Sequence, residues 1–412
     1  MLTLDEIRGF FPALQASSDV LLDNAGGSQV PEQVADAMRD YMLTTYVQLG
    51  ADYRTSLEST GTVERAHEFI NLFMNGTGNG AVALGSSSTI LCAMLADCYA
   101  RAKRNGRDEI IVAETAHEAN AGPWFRLEGR GFQVHTWPVD PASLELSLDD
   151  LRKQLSERTL IVAFPHVSNL LGRIEDAQAI TKTAHEAGAR VVIDGVAYAP
   201  HVAMDVAALE ADWYVYSSYK VFGPHMAALF GTTEASAELD GPNHFFIPRT
   251  EVPYKFEPGG PSHEGCAGLS ALWSYLAPLA GRSANEAPSR EGIQDAYRRI
   301  SELENMLQAR LIEYLKSKPD LRIIGPEQSS SNRVATVSFV HRHKKSAEIV
   351  RAVNAKGYGI RFGHFYAYRL CDRLAQEGVL HDTEDGVVRV SMLHYNTLDE
   401  IDGLIKCLDG LL

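Results

Sequence analysis

The sequence predicts an α/β fold: a large domain built on a mostly parallel sheet, followed by a smaller C-terminal α/β domain. Three observations carry this expectation. Between about residues 80 and 235, short apolar runs alternate with amphipathic helical stretches, the pattern of a parallel sheet covered by helices. The runs lack strict alternation of apolar and polar residues, so their strands are expected to be buried on both faces. After about residue 235 a Pro- and Gly-rich loop leads into a long amphipathic stretch, which marks a second domain.

Taken in order, Thr3 and Glu6 have the spacing of a helix capping box. The strands of the large domain are AVALG, EIIVAE, FQVHTWPV, LIVAFPHVS, RVVIDGVA, WYVYSS and AALFGTT. Between two of them, EDAQAITKTAHEAGA starts acidic and ends at a Gly, as a crossover helix does. The loop DGPNHFFIPRTEVPYKFEPGGPSHEG then precedes IQDAYRRISELENMLQARLIEYLKS, whose apolar spacing predicts a long helix. The second domain's strands are LRIIG, ATVSFVH, YGIRFG and VVRVSML, and its last helix is LDEIDGLIKCLDGLL. The cluster HRHKK at 341–345 reads as a solvated strand end. A chain of 412 residues is two to three times the usual ~150-residue domain. The expected division is residues 16–265 as the large domain, and 266–412 with 1–15 as the small one.

Lys and Arg total 38 against 53 Asp and Glu, a net charge of −15 that repels phosphate backbones and anionic lipid headgroups. Neither a nucleic acid nor a membrane is therefore an expected partner. The five cysteines, Cys92, Cys98, Cys266, Cys371 and Cys407, are scattered and never in a C-x-x-C spacing. That excludes a disulfide framework and suits a reducing cytoplasm. The start MLTLDEIRGFFPALQ lacks the basic opening and apolar core of a signal peptide. There is no G-x-x-x-x-G-K-[ST], no G-x-G-x-x-G after a strand and no G-x-S-x-G. His-Glu occurs at His117, His185 and His263 without continuing to H-E-x-x-H, and no metal site is expected.

What remains is a set of polar residues at the carboxyl ends of apolar runs, where open α/β sheets place their ligands. His117 follows EIIVAE, Ser168 and Asn169 end LIVAFPHVSN, Asp194 ends RVVID, and Ser217, Ser218 and Lys220 end WYVYSSYK. Gly85 with Ser86, Ser87, Ser88 and Thr89 opens the helix TILCAMLADCYARAK, and a helix N-terminus suits a phosphate as well as a plain cap. Asp194 suits a protonated ring nitrogen. Lys220, in an apolar context that lowers an amine pKa, suits Schiff-base chemistry. Phosphate turn, strand-end Asp and strand-end Lys, in that order, make up a pyridoxal 5'-phosphate site.

With HVSNLLG, VVIDGVAYAPHVAMDVAALEADWYVYSSYKVFGP, LDNAGG near residue 22 and RVSMLHYNT near residue 389 on the page, the chain resembles the fold-type I pyridoxal phosphate enzymes of the class V aminotransferase family, in the cysteine desulfurase-like branch. The resemblance implies that Lys220 forms the Schiff base and then acts as acid and base. It implies that Asp194 partners the pyridine nitrogen, His117 stacks on the ring and Asn169 lies near the phenolic oxygen. Ser86, Ser87 and Ser217 fall at phosphate positions. Arg389 matches the arginine for the substrate α-carboxylate, with Asn24 and Tyr366 expected on the substrate side. His263 falls where a neighbouring subunit supplies a phosphate contact, so a homodimer is expected.

The departures from the family pattern shape the expected function. Ala197 and Tyr198 stand where relatives carry a Gln, and Tyr219 stands where they carry a His before the lysine, so the cofactor's hydrogen bonding is expected to be rearranged, with Tyr198 or Tyr219 as the substitute and Tyr219 among the cofactor-binding residues. In IRFGHFYAYRLCD, Tyr366 occupies the place of the desulfurase loop cysteine, while Cys371 has the helical spacing of a packed residue. The resemblance thus implies an enzyme acting on a small α-amino acid through an external aldimine and a quinonoid, with C–S lyase or other Cα/Cβ bond chemistry favoured. A true cysteine desulfurase, an aminotransferase, a racemase or a decarboxylative aldolase are the alternatives, and a cofactor-binding pseudoenzyme is the non-enzymatic one.

Overall fold

The computed structural model describes residues 2–103, 105–329 and 332–412. Seven strands form the large sheet: β1 (Gly80–Gly85), β2 (Glu109–Ala113), β3 (Gln133–Trp137), β4 (Thr159–Pro165), β5 (Arg190–Asp194), β6 (Trp213–Ser217) and β7 (Ala227–Thr232). Their spatial order is β1-β7-β6-β5-β4-β2-β3. Only the pairings of β7 with β1 and β6 are antiparallel. Every apolar run assigned to the large domain is a strand. On β5, Val191 and Ile193 enter the core on one face while Val192 enters the core on the other. Alternate side chains point to opposite faces, so a strand covered on both sides is apolar at every step.

The expected crossover helix spans Ala177–Glu186, with Asp176 accepting from the Ala179 N–H at 3.0 Å, and the chain leaves it through Gly188 at φ 73°. Because β1, β2, β4, β5 and β6 run the same way, their carboxyl ends open on one edge. The Ser88–Arg101 and Glu118–Phe125 helices begin at that edge.

The small sheet comprises β8 (Leu321–Ile323), β9 (Thr336–His341), β10 (Arg361–Gly363) and β11 (Val387–Ser391), antiparallel in the order β10-β11-β9-β8. The segment YGIRFG is not one strand as the sequence suggests. Tyr358–Gly359 pairs in parallel with Val20–Leu21, and only Arg361–Gly363 joins β11. Between them Ile360 is buried in the small core and its N–H is held by Asn354 Oδ1 at 3.0 Å. At HRHKK the first residue, His341, is buried and its Nδ1 accepts from the His343 and Lys344 N–H groups, while Arg342, His343 and Lys345 are exposed.

Ile7 and Phe11, together with Trp273, Tyr275 and Leu276, belong to the large core, whereas Leu22 belongs to the small one. The transition runs along the helix Arg290–Lys316: Ile293, Ile300 and Leu303 serve the large core, and Leu307, Leu311 and Leu315 the small one. A single unbroken amphipathic stripe supplies both domains, so the sequence shows no break there. Among the described residues no helix is long and apolar enough to cross a membrane.

Candidate active site

The carboxyl edge of the large sheet encloses a cavity lined by His117, Asn169, Asp194, Tyr219 and Lys220, with Ser88 and Thr89 on its wall. Five predicted residues therefore meet, although they come from four different strand ends. The parallel order of β2, β4, β5 and β6 is what brings them together.

Lys220 follows β6 in a single helical turn, Ser218–Lys220. Ser218 Oγ reaches the carbonyls of Pro224 and Met226 at 2.7 and 2.9 Å, and Ser28 Oγ accepts from the Phe222 N–H at 2.8 Å. These bonds hold the turn after the lysine, where Phe222 sits at φ 59°. The amine is buried, and that burial, aided by the charge of Arg389, pulls its pKa from the ordinary 10.5 to about 8. Asp194 closes β5, with Oδ1 accepting from the Val196 N–H at 2.9 Å. Burial pushes its carboxyl above the usual carboxylate range, against the Val196 bond and the nearby Lys220.

His117 caps the Glu118–Phe125 helix, and its Nδ1 accepts from the Ala119 N–H at 3.0 Å. The ring proton accordingly belongs on Nε2. Burial, then the charges of Lys220 and Arg389, pull its pKa to about 3, so the imidazole is neutral at physiological pH. Asn169 donates from Nδ2 to the Phe365 carbonyl at 2.8 Å, while its Oδ1 is buried without a partner. Tyr219 stacks on His225 with ring centres 4.3 Å apart.

The phosphate-side residues lie at the start of the Ser88–Arg101 helix. Ser87 is spent as the N-cap of the Ser88–Arg101 helix, taking the Ile90 N–H at 3.2 Å, and Ser86 is exposed. The cavity wall is instead formed by Ser88 and Thr89 in the first turn, where N–H groups lack helical partners. Ser217 lies behind them, donating from Oγ to Ser88 Oγ at 3.1 Å. His263 is the first residue of the helix His263–Ala271, beside the Tyr41 ring, and does not line this cavity.

Arg389, on β11, is 2% exposed and is absent from the cavity wall. Its Nη2 donates to Asp23 Oδ1 at 3.0 Å and its Nη1 to the Asn169 carbonyl at 3.3 Å. Phe365 lies over its guanidinium, with the ring centre 3.7 Å from Cζ. Asn24, expected on the substrate side, turns inward. Its Nδ2 reaches the Leu21 and Ser391 carbonyls and Asn396 Oδ1, and its Oδ1 takes the Tyr395 hydroxyl at 2.6 Å. Those bonds consume the amide in joining the N-terminal segment to the small sheet.

Tyr366 is 65% exposed and lines a second, outer cavity with Glu118, His364 and Arg369. Its ring centre is 5.2 Å from that of His117, so it stands at the mouth. Phe365 and Tyr366 both have positive φ, 49° and 61°. Such backbone costs roughly 1–2 kcal/mol for each residue with a side chain. All five cysteines are buried and free, and burial pushes the Cys371 thiol up to about 12.

Three features escaped the sequence reading. Asp23 is one position from the asparagine that was singled out, and only the fold shows which of the two faces Arg389. Phe365 carried no motif. His166 and Tyr198 stack at 3.6 Å behind Asp194, with His166 Nδ1 bonded to the Tyr214 hydroxyl at 2.8 Å. Their signal, an aromatic residue after the strand-end Asp, was visible, but its partner was not.

The sequence model of the family described as aminotransferase class-V matches residues 20–404. The aminotransferase-like protein FGM3 of Gibberella zeae is 37% identical, over 100% of this chain and 98% of its own. A probable cysteine desulfurase of Vibrio cholerae is 30% identical, over 99% of this chain and 98% of its own. Among solved structures, an apo cysteine desulfurase from Thermococcus onnurineus superposes with a TM-score of 0.86 at 23% identity, covering 100% of this chain and 98% of that one.

Proposed function

This chain belongs to the class V aminotransferase family, whose members are pyridoxal phosphate-dependent enzymes, and we propose that it makes or breaks a bond at the α- or β-carbon of a small amino acid without a thiol nucleophile of its own. The single observation that carries this reading is the convergence of Lys220, Asp194, His117 and Asn169 on one cavity. The residues present fit the cofactor. A buried amine and a buried carboxyl share the cavity, a flat neutral imidazole borders the same space, and Asn169 Oδ1 is a buried acceptor still without a partner. The first turn of the Ser88–Arg101 helix supplies N–H groups for a phosphate.

When bound, the cofactor supplies an electron sink for the pair released at the substrate α-carbon. Asp194 would hold the proton on the ring nitrogen as its ionised partner, buried where water does not weaken the pairing. Lys220, with a pKa near 8, keeps about a tenth of its amine unprotonated at neutral pH, enough to take a proton from the α-carbon and return it. His117 presents a neutral face that adds no charge to the ring. Arg389 orients the α-carboxylate through its planar fork, whose direction Asp23 and the Asn169 carbonyl set.

The buried cysteines support the choice among reactions. A thiol that attacks sulfur must be exposed and easily ionised, and Cys92, Cys98, Cys266 and Cys371 are buried with raised pKa values. A second copy of the chain bringing His263 to the site, as a homodimer would, belongs to the same proposal. The test is to mix the purified protein with individual amino acids and identify the products by mass spectrometry. A product altered at Cα or Cβ is expected. Loss of sulfur from cysteine to a protein thiol would contradict the reading.

A further inference from the structure

Arg361 and Arg389 stand directly opposite each other in the antiparallel pairing of β10 with β11. Like charges facing across strands are destabilising, so a fold that keeps them needs an anion between them. Asp23 is that anion: its Oδ1 takes Arg389 Nη2 at 3.0 Å, and its Oδ2 meets Arg361 Nη1 at 3.4 Å. One carboxylate serves two guanidinium groups, and it serves them unequally. Arg389 is buried and has a second acceptor in the Asn169 carbonyl. Arg361 is exposed, and among the described residues Asp23 is its only hydrogen-bond partner.

Arg361 lines a cleft of about 350 Å³ together with Asp23, Gly27 and Gln29. This cleft backs onto the cofactor cavity, because Gly27 packs against the Tyr219 ring and Tyr219 lines that cavity. The charge of Arg361 is felt there: it adds to the causes that pull down the pKa values of Lys220 and Arg389. With Asp194 and the first turn of the Ser88–Arg101 helix assigned to the cofactor, three cations, Lys220, Arg361 and Arg389, face the single carboxylate of Asp23. In a chain of net charge −15 this surplus of two is a local exception. A substrate α-carboxylate offsets one of the two charges and leaves the other for a second anion.

We infer that Arg361 is a specificity-determining residue that receives a side-chain carboxylate, so that the substrate class of this site is the short acidic amino acids. This rests on the reading that the chain acts on a small amino acid whose α-carboxylate goes to Arg389. Because both guanidinium groups reach oxygens of the same Asp23 carboxylate, they lie close enough for a short dicarboxylate to engage both. The planar fork of Arg361 suits that second carboxylate. Selectivity then comes from charge: a neutral side chain of the same shape leaves Arg361 with its one long contact to Asp23.

The test compares L-aspartate with L-asparagine, which share a shape and differ in charge at one end. Purified holoenzyme is mixed with each, and half-saturation is read from the change in visible absorbance. Aspartate is expected to half-saturate the wild-type protein at a concentration roughly ten-fold or more below that of asparagine. In Arg361→Gln the ratio is expected to fall to within about two-fold of unity, and in Arg361→Lys to recover in part. Arg361 is exposed on the edge strand of the small sheet, so these substitutions leave the cores untouched. Equal half-saturation by the two amino acids in the wild type, or an unchanged ratio in Arg361→Gln, would overturn the inference alone. Failure of the underlying reading shows separately. No absorbance change with aspartate, asparagine or L-alanine, or wild-type half-saturation by all of them in Arg389→Gln, would overturn that reading and the inference with it.

Discussion

Asp23 accepts a hydrogen bond from Arg389 Nη2 at 3.0 Å, although the two residues lie 366 positions apart in the chain. A carboxylate from the N-terminal segment thus fixes the orientation of a buried arginine on the small sheet. Asp23→Asn leaves the arginine buried with a weaker acceptor. The expected outcome is a stability loss of about 1–3 kcal/mol in urea unfolding. The KM for the amino acid is expected to rise roughly ten-fold while kcat changes much less, as when uniform binding is lost.

Asp194→Asn separates structure from chemistry. The amide oxygen can still accept from the Val196 N–H, so the fold and the bound cofactor are expected to persist. The charge that holds a proton on the ring nitrogen is gone, and kcat is expected to fall about a hundred-fold or more. Steady-state rates beside the visible spectrum check this, and a variant with near-normal kcat would remove Asp194 from the mechanism.

Lys220 links the site to stability. Its folded pKa of about 8 lies below the ordinary 10.5, so between those values the unfolded chain binds the extra proton and stability rises with pH. Cofactor-free protein is expected to become more resistant to urea from pH 8 to pH 10. Lys220→Met is expected to lose that increment, and identical pH profiles would show that the lysine is not buried as described.

Acid should act through buried imidazoles. His117, His166 and His394 are each pulled by burial to about 3. The unfolded chain protonates them near the ordinary 6.5, so stability falls as pH drops below that value, by up to about 1.4 kcal/mol per pH unit for each. His166→Phe keeps a ring on Tyr198 and removes one titrating group. Its stability between pH 6.5 and pH 4 is expected to fall less steeply than that of the wild type.

The cysteines should be idle. Incubation with L-cysteine is expected to leave all five without a persulfide adduct, since each is buried. Alkylation mass spectrometry checks this, and a persulfide on Cys371 would restore the desulfurase alternative.

Much of the fold was legible because strands covered on both faces must be apolar throughout. Six of the seven runs of the large sheet follow from that constraint, the exception being the edge strand Gln133–Trp137, which is largely exposed. The inner site was legible for a related reason, since polar residues ending parallel strands converge on one edge. What escaped was set by docking of the small domain. Whether Asp23 or Asn24 meets Arg389 depends on the pairing of Val20–Leu21 with Tyr358–Gly359, which leaves no mark in either segment alone. Which of Ser86, Ser87 and Ser88 becomes the helix cap was not legible either, because neighbouring serines compete equally for that role. That one helix, Arg290–Lys316, serves both cores was hidden too, because its amphipathic stripe runs unbroken from end to end.

The central claim is that Lys220 carries the cofactor. Borohydride reduction of the purified protein followed by peptide mapping tests it most directly. The expected result is a pyridoxyl phosphate adduct on Lys220, with loss of the visible absorbance, and no adduct in Lys220→Ala. An adduct on a different lysine, or one that survives in Lys220→Ala, would contradict the account.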